Sequence, residues 1–233
     1  MDWLFEKEYC VVSELMEKPE HPCVFVLGGS KISDAFMMME TVLSSGAADT
    51  VLTGGLVGEI LLASQGKEIG SGTLGFILKS GYGDFIEKAK GIYEKYADRI
   101  ILPEDLAQVK DGARDEALVG AIPADFNAVD IGTGTANLYR EIILMARTVF
   151  ANGPVGVFEA AESEYGTRVL FEAMADTEGY TVVGGGDSVT AAKKYGVTDR
   201  LGYICTGGGA LIRFLTGEEL PVVKALRHAA KAF

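Results

Sequence analysis

The sequence has few of the side chains that most often build metal centres and nucleophilic catalytic sites. It contains three cysteines (Cys10, Cys23 and Cys205) and two histidines (His21 and His228), and these residues form no close pair or cluster. A disulfide framework, a zinc centre and a Ser/His/Asp or Cys/His catalytic group are therefore disfavoured. Widely spaced cysteines fit a reducing compartment, so we expect a cytoplasmic protein.

The sequence also lacks long apolar runs and an excess of basic charge. No apolar stretch approaches the ~20 residues of a membrane span, and the N-terminus shows no signal-peptide pattern. Lys and Arg number 21 against 33 Asp and Glu, which gives a net charge of −12. Nucleic acids and anionic membranes bind basic surfaces, so we expect neither of them as a partner.

Glycine, by contrast, is abundant and unevenly placed. The 233 residues include 30 glycines, about 13% against an average near 7%. They cluster after short apolar runs, at Gly28-Gly29, Gly54-Gly55, Gly184–Gly186 and Gly207–Gly209. This placement indicates backbone that approaches a ligand closely.

Apolar periodicity alternates between short buried strands and amphipathic helices, which predicts a three-layer α/β/α Rossmann-like domain with a mainly parallel sheet. We expect a helix in residues 1–22 and one α/β domain over residues 23–233. Residues 66–83 are expected to be loop, and residues 106–121 a hairpin turning at Asp111-Gly112. The predicted strands are 23–27, 51–53, 99–102, 128–131, 148–151, 180–183 and 202–205. The predicted helices are 2–17, 32–43, 56–62, 84–97, 135–146, 166–175, 188–195, 210–215 and a last one through 222–230.

Two junctions between a strand and a helix are the sharpest candidate sites, at Gly184–Ser188 and at Thr206–Gly209. Ligands of open parallel sheets bind beyond the carboxyl ends of the strands, and helix N-termini favour anions. Asp187 is the best candidate to hold Mg²⁺ beside a polyphosphate, with Ser188 bonded to a phosphate oxygen. Lys31, which opens a helix after Gly28-Gly29, could reach a phosphate. The alternative is a pair of tight turns in which Asp187 only caps its helix.

The standard nucleotide fingerprints are missing. No GxxxxGK[ST] motif occurs, which excludes a P-loop. One GxGxxG match, Gly70–Gly75, follows no clear strand, and we interpret it as a chance match. An NAD-dependent oxidoreductase is therefore a weak hypothesis.

Six ordered motifs resemble phosphoglycerate kinases. Gly28–Asp34 (GGSKISD) is similar to the family's GG-[AS]-K-[VI]-[SA]-D segment, and Asn152–Glu159 (NGPVGVFE) to its NGPMGVFE segment. The others are Thr53–Gly55, Asp130–Gly132, Gly184–Ser188 (GGGDS) and Thr206–Ala210 (TGGGA). The resemblance covers only the C-terminal, nucleotide-binding half of that enzyme, in an archaeal-like form, and residues 2–22 resemble its interdomain helix.

The resemblance implies a Mg-ATP/ADP site and phosphoryl transfer between ATP and 3-phosphoglycerate. Lys31, Gly207 and Gly208 would stabilise the transferring group, and Asp187 would hold Mg²⁺. Glu159 would accept hydrogen bonds from the ribose. The other implied nucleotide contacts are Gly29, Ser30, Gly54, Gly55, Asn152, Pro154, Val157, Gly185, Gly186 and Ser188. The acid substrate would bind an N-terminal half that nothing in this sequence resembles, so we expect the chain alone to be inactive.

Three positions depart from the family pattern: Ala35 replaces a second lysine, Thr133 a proline and Ala151 a tryptophan. Because the resemblance covers only one half of the enzyme, a stand-alone nucleotide-binding module without turnover stays open as the alternative function. The apolar end helices, around Trp3, Leu4, Val222, Val223 and Leu226, predict self-association unless they fold back on their own sheet.

Overall fold

A computed structural model describes residues 3–205, which form an α/β fold. Helices and strands alternate up to residue 64 and again from residue 130, as the sequence predicts, whereas residues 55–131 hold three successive helices followed by four successive strands. No helix in this range is long and apolar enough to cross a membrane. The helices are α1 (Trp3–Glu17), α2 (Ile32–Ser45), α3 (Gly55–Ser64), α4 (Ser71–Lys79), α5 (Asp84–Tyr96), α6 (Thr133–Met145), α7 (Tyr165–Asp176) and α8 (Gly186–Lys194). The strands are β1 (Cys23–Leu27), β2 (Thr50–Thr53), β3 (Ile100–Ile101), β4 (Asp105–Lys110), β5 (Ala113–Leu118), β6 (Asp130–Ile131), β7 (Thr148–Asn152), β8 (Tyr180–Gly184) and β9 (Tyr203–Ile204).

The central sheet has six strands in the order β3-β2-β1-β7-β8-β9, and every neighbouring pair is parallel. Counted within this sheet alone, the order is 3-2-1-4-5-6, the Rossmann order. The chain reverses its direction of progress between β1 and β7, and such a switch point is where open α/β sheets bind ligands. The predicted fold class is confirmed.

Strand β1 shows why the sheet is covered on both faces. All of its residues are buried. Phe25 and Leu27 join one apolar core, while Val24 and Val26 join the other. Successive side chains of a strand point to opposite faces, so an unbroken apolar run requires helices on both sides.

Helix α1 packs on the same core as the sheet through its C-terminal half. Val12 and Leu15 are buried among the residues of the first core, and Val11 and Met16 pack against it. This part of α1 therefore folds back on its own sheet. The side chains of Trp3 and Leu4, and the predicted helices 210–215 and 222–230, lie outside what the structure describes, so the prediction of self-association stays untested.

The predicted hairpin is confirmed as β4 and β5, which pair antiparallel and turn at Asp111-Gly112 with both residues at positive φ. The strand predicted over residues 128–131 is shorter than expected. The structure has only β6 there, which pairs antiparallel with β4 in a separate three-stranded sheet and does not join the parallel sheet. Within β6 the buried Asp130 carboxylate accepts hydrogen bonds from the Arg114 side chain and the Gly166 backbone N–H.

The prediction that residues 66–83 are loop is wrong, because α4 occupies their centre. Gly70 and Gly72 have no side chain, and a Cβ there would lie 2.3 Å and 2.9 Å from the Phe126 carbonyl oxygen. The glycines therefore let α4 approach the segment before β6 closely. Buried Thr73 and Ile77 anchor the helix, which offsets the low helix propensity of glycine.

Candidate functional site

The four central strands end level at one edge of the sheet. In the register, Leu27 pairs with Thr53 on one side and with Asn152 on the other, and Asn152 pairs with Gly184. The segments that follow these residues therefore meet above the switch point. They line two adjoining cavities.

The larger cavity is a cleft of about 370 Å³, within the size range of small-molecule sites. Most of its walls are apolar, with polar groups at a few positions, as such sites generally require. Its lining comprises Gly29, Ser30, Gly55, Leu56, Glu59, Thr73, Phe76, Asn127, Ala128, Val129, Pro154, Gly156, Val157, Phe158, Glu159 and Asp187.

The smaller cavity is polar and glycine-rich, and it shares Gly29, Ser30 and Asp187 with the cleft. Its remaining lining residues are Gly28, Lys31, Asn152, Gly153, Gly185, Gly186 and Ser188. The N-termini of α2 and α8 border it, so the positive ends of two helix dipoles face this cavity. The arrangement favours an anion in the smaller cavity and an apolar, flat group in the cleft.

Helix α8 begins at Gly186, earlier than the sequence predicts, so Asp187 does not occupy the N-cap position. Gly185, at φ 86°, occupies the N-cap position, and no side chain caps the helix. Asp187 lies in the first turn and is exposed. It makes no hydrogen bond or ion pair within residues 3–205. The alternative interpretation of Asp187 as an N-cap is therefore wrong, and its carboxylate is available to a ligand.

Ser188 is fully buried, and its Oγ accepts a hydrogen bond from the Gly153 backbone N–H at 2.7 Å. The hydroxyl therefore holds the loop after β7 against α8. In the described structure Ser188 fixes the cavity wall, and its contact with a phosphate stays a prediction.

Lys31 precedes α2 at its N-cap position and is exposed. It lines the smaller cavity and is the only cationic side chain that lines either cavity within the described range. Ala35, one turn further on, is buried in the core beneath α2. The position at which the family has a second lysine therefore offers nothing to the cavity.

The glycines at the ends of β1 and β2 pack closely against the loop that follows β7. Gly28 and Gly29 donate their N–H groups to the carbonyls of Asn152 and Pro154, and Gly55 donates to Val155. A Cβ on Gly28 would lie 2.2 Å from the Pro154 oxygen, and one on Gly54 2.5 Å from the Val155 Cβ. The N–H groups of Gly28, Gly29 and Gly55 are therefore used within the fold. The first N–H groups of α8, by contrast, have no intrahelical acceptor.

The loop after β7, which carries Val157 and Glu159, is held in place from several sides. Val157 N–H donates to the Val129 carbonyl at 2.7 Å. Lys194 Nζ donates to the carbonyls of Phe158 at 2.6 Å and Glu159 at 3.2 Å, and it pairs with Glu164 at 2.6 Å. The Glu159 carboxylate is left exposed at the cleft.

Sequence reasoning found one side of the cleft and missed the other. Every predicted site residue in the described range lines one of the two cavities, except Gly54. Gly207 and Gly208 lie outside the described residues. Thr73 and Phe76 of α4 were missed with their helix, and the available signal was the apolar run Leu74–Leu78 after Gly70. Glu59 was missed because it stands within an apolar helix, where a lone glutamate marks no motif.

A Rossmann-ordered sheet with an apolar cleft beside a glycine-rich pocket is typical of α/β proteins that bind small molecules. Comparison with known proteins identifies the family within this class, because residues 2–218 match the family model for phosphoglycerate kinase. The chain belongs to the phosphoglycerate kinase family, and the predicted resemblance is confirmed.

Individual relatives agree with this membership. The phosphoglycerate kinase of Methanothermobacter thermautotrophicus is 43% identical over 97% of this chain and 55% of its own length, and that of Pyrococcus abyssi is 37% identical. The crystal structure of the Pyrococcus horikoshii enzyme superposes with a TM-score of 0.91 at 38% identity, covering 98% of this chain and 57% of its own. The chain thus spans about half the length of the relatives it matches.

Proposed function

We propose that the two cavities bind a nucleotide, ADP or ATP, with magnesium, as the nucleotide-binding half of a phosphoglycerate kinase. The observation that carries this proposal is the continuity of an apolar cleft with a polar pocket at the switch point of the sheet. A base and ribose suit the cleft, and phosphates suit the helix N-termini. Gly29, Ser30 and Asp187, which line both cavities, mark the boundary between the two parts.

The charges of the described pocket fit a magnesium-loaded nucleotide better than a bare one. Lys31 supplies one positive charge, while Asp187 and Glu159 supply two negative ones. No cluster of three metal-binding side chains occurs in residues 3–205. Mg²⁺ binds nucleotides through one or two carboxylates plus phosphate oxygens, so a single exposed Asp187 is sufficient. Bound there, the ion would neutralise phosphate charge.

The chain's own groups act in this proposal by binding and orientation. Lys31 and the α2 and α8 N-termini stabilise negative charge on the terminal phosphates, and this stabilisation increases as charge develops on the transferring group. Glu159 accepts hydrogen bonds from ribose hydroxyls, with Lys194 holding its backbone in position. Phosphoryl transfer needs no covalent protein intermediate.

Transfer to 3-phosphoglycerate is proposed to need a second half that brings cationic groups. Two of the described arginines, Arg99 and Arg114, are bound to partners within the fold and line neither cavity. Arg99 donates to the Leu43 and Ala48 carbonyls, and Arg114 pairs with Glu116 and Asp130. Of the described residues that line the two cavities, Lys31 alone is cationic, so a substrate with both a carboxylate and a phosphate would need further cationic groups.

Titration calorimetry of the 233-residue chain with ADP and NAD, each with and without Mg²⁺, tests the binding proposal. We expect ADP binding that strengthens with Mg²⁺ and no NAD binding. NAD binding at the expense of ADP would instead support the oxidoreductase hypothesis.

A further inference from the structure

Glu59 is a buried carboxyl group with no partner in the wall of the cleft. Only 6% of its surface is exposed, although it lines the cleft. No described residue donates a hydrogen bond to it or forms an ion pair with it. Its neighbours in α3 (Val57, Gly58, Ile60 and Leu61) are buried and carry no hydrogen-bonding side chain. Its oxygens are not among the fully buried unpartnered side-chain atoms of the described residues, so they retain access to the cleft, where a donor on a ligand would pair with them.

The position of Glu59 selects the part of a nucleotide that it would meet. Gly55, at the start of α3, lies against Gly29 at the boundary of the two cavities. Glu59 follows one helical turn later, ~6 Å further along the axis. It therefore lies on the cleft side of that boundary, away from Lys31 and Asp187, and beyond the place proposed for the phosphates.

Resting on the proposed function, we infer that Glu59 binds the base of the nucleotide and accepts a hydrogen bond from the exocyclic 6-amino group of adenine. The apolar side chains Leu56, Phe76 and Val157 also line the cleft and provide flat contacts, but these discriminate poorly between bases. A directional contact is required to read the base, because a buried polar group left unpaired penalises a ligand that lacks the matching donor.

The chemistry of the carboxyl group suits this partner. Burial raises the pKa of Glu59 to about 8, so near neutral pH it carries a proton. A neutral carboxyl group both accepts and donates, which complements the amino group of adenine and the ring nitrogen beside it. An ionised group would still accept from the amine, so the contact survives either protonation state.

The test is a cycle between Glu59 and the 6-amino group. The Mg²⁺ complexes of ADP and of purine riboside diphosphate, which lacks the amine, are titrated by calorimetry into the wild type and Glu59→Met. We expect the wild type to favour ADP by about tenfold, as one good base contact provides, and Glu59→Met to bind both equally. Glu59→Gln, which keeps an acceptor and a donor, restores the preference, and Glu94→Met, at an exposed position of α5, leaves it at the wild-type value.

Tripolyphosphate, which has no base, separates this inference from the proposed function. It should bind the wild type and Glu59→Met with equal affinity. A wild type that binds ADP without preferring it over the amine-free nucleotide, or a preference that persists in Glu59→Met, overturns the role of Glu59 and leaves nucleotide binding intact. A folded wild type that binds neither nucleotide overturns both.

Discussion

In the proposed site Asp187 alone would bind the metal, because it is exposed in the first turn of α8 and lines both cavities. We predict that Asp187→Ala weakens ADP binding in the presence of Mg²⁺ by at least about tenfold, since even outer-shell changes at metal sites have effects of that order. Binding without Mg²⁺ should change little, or strengthen, because a negative charge beside the phosphates is removed. Calorimetry in Mg²⁺ and in EDTA measures both quantities. Asp199→Ala, beyond the opposite end of α8, is the control, and an equal loss in both buffers would remove Asp187 from the metal site.

Glu59 makes the stability of the fold depend on pH in a direction that can be worked out. Its pKa is raised from an ordinary value of 4.5 to about 8 by burial, so between these values the folded state holds a proton that the unfolded chain has released. The free energy of unfolding therefore falls as pH rises from about 5 to 8, by up to ~1.4 kcal/mol per pH unit from this group. Above pH 8 the effect levels off.

Glu59→Gln removes this titration. We predict that urea denaturation at pH 5, 6, 7 and 8 shows the variant gaining on the wild type at each step, with Glu94→Gln following the wild type. A stability difference that stays constant over this range would show that Glu59 titrates normally.

At the scale of elements, α4 forms one wall of the cleft because Gly72, and Gly70 at its N-cap, lie close to residues 126–127. A Cβ at Gly72 would lie 2.8 Å from the Asn127 Cβ, whereas one at Gly75, a turn later, would meet nothing within 4 Å. We predict that Gly72→Ala destabilises the protein by about 1–3 kcal/mol through overpacking. Gly75→Ala should stabilise it by about 0.5–1 kcal/mol through helix propensity.

Denaturation of the two variants, combined with ADP titration, gives the matched comparison. The same substitution in the same helix should change sign with position, and only Gly72→Ala should reduce nucleotide affinity, by displacing Thr73 and Phe76. Equal effects of the two substitutions would contradict the close approach of α4 to residues 126–127.

The sequence was sufficient for elements whose signal is local and insufficient where contacts across the fold decide. An unbroken apolar run predicts strand β1, and the Asp111-Gly112 pair predicts the turn of the hairpin. Helix α4 was hidden because glycine lowers propensity, and the packing that compensates it involves residues some fifty positions away. The two-residue length of β6 and its pairing with β4 depend on contacts across the fold, such as the Arg114–Asp130 ion pair, which apolar periodicity does not register.

The site divides in the same way. Lys31, Asp187 and the segment from Asn152 to Glu159 stand in motifs, and the structure brings them to adjoining cavities. The backbone N–H groups of Gly29 and Gly55 donate to carbonyls of the loop after β7. These contacts depend on how the ends of three strands lie relative to one another, which no single motif encodes. Glu59 is recognised as a candidate site residue only from the structure, which shows it buried in α3 and lining the cleft.

For the whole molecule, the proposal requires two halves that act together, because positioning both substrates in line provides much of the rate of phosphoryl transfer. We predict that the pure chain shows no 3-phosphoglycerate-dependent ATP consumption in a coupled assay. Addition of the N-terminal half of a relative such as the Methanothermobacter thermautotrophicus enzyme should generate activity. Turnover by the chain alone would contradict the need for a second half, and absence of activity in both samples, with ADP bound, would favour a non-catalytic module.

The central claim, a magnesium-nucleotide site at the switch point of the sheet, is tested most directly by a crystal structure of the chain grown with ADP and Mn²⁺ in place of Mg²⁺. We predict the phosphates at the N-terminus of α8 within reach of Lys31, the base between Phe76 and Val157, and an anomalous peak for the metal beside Asp187. A nucleotide bound elsewhere on the molecule, or one whose base occupies the glycine-rich pocket and whose phosphates occupy the apolar cleft, would contradict the account.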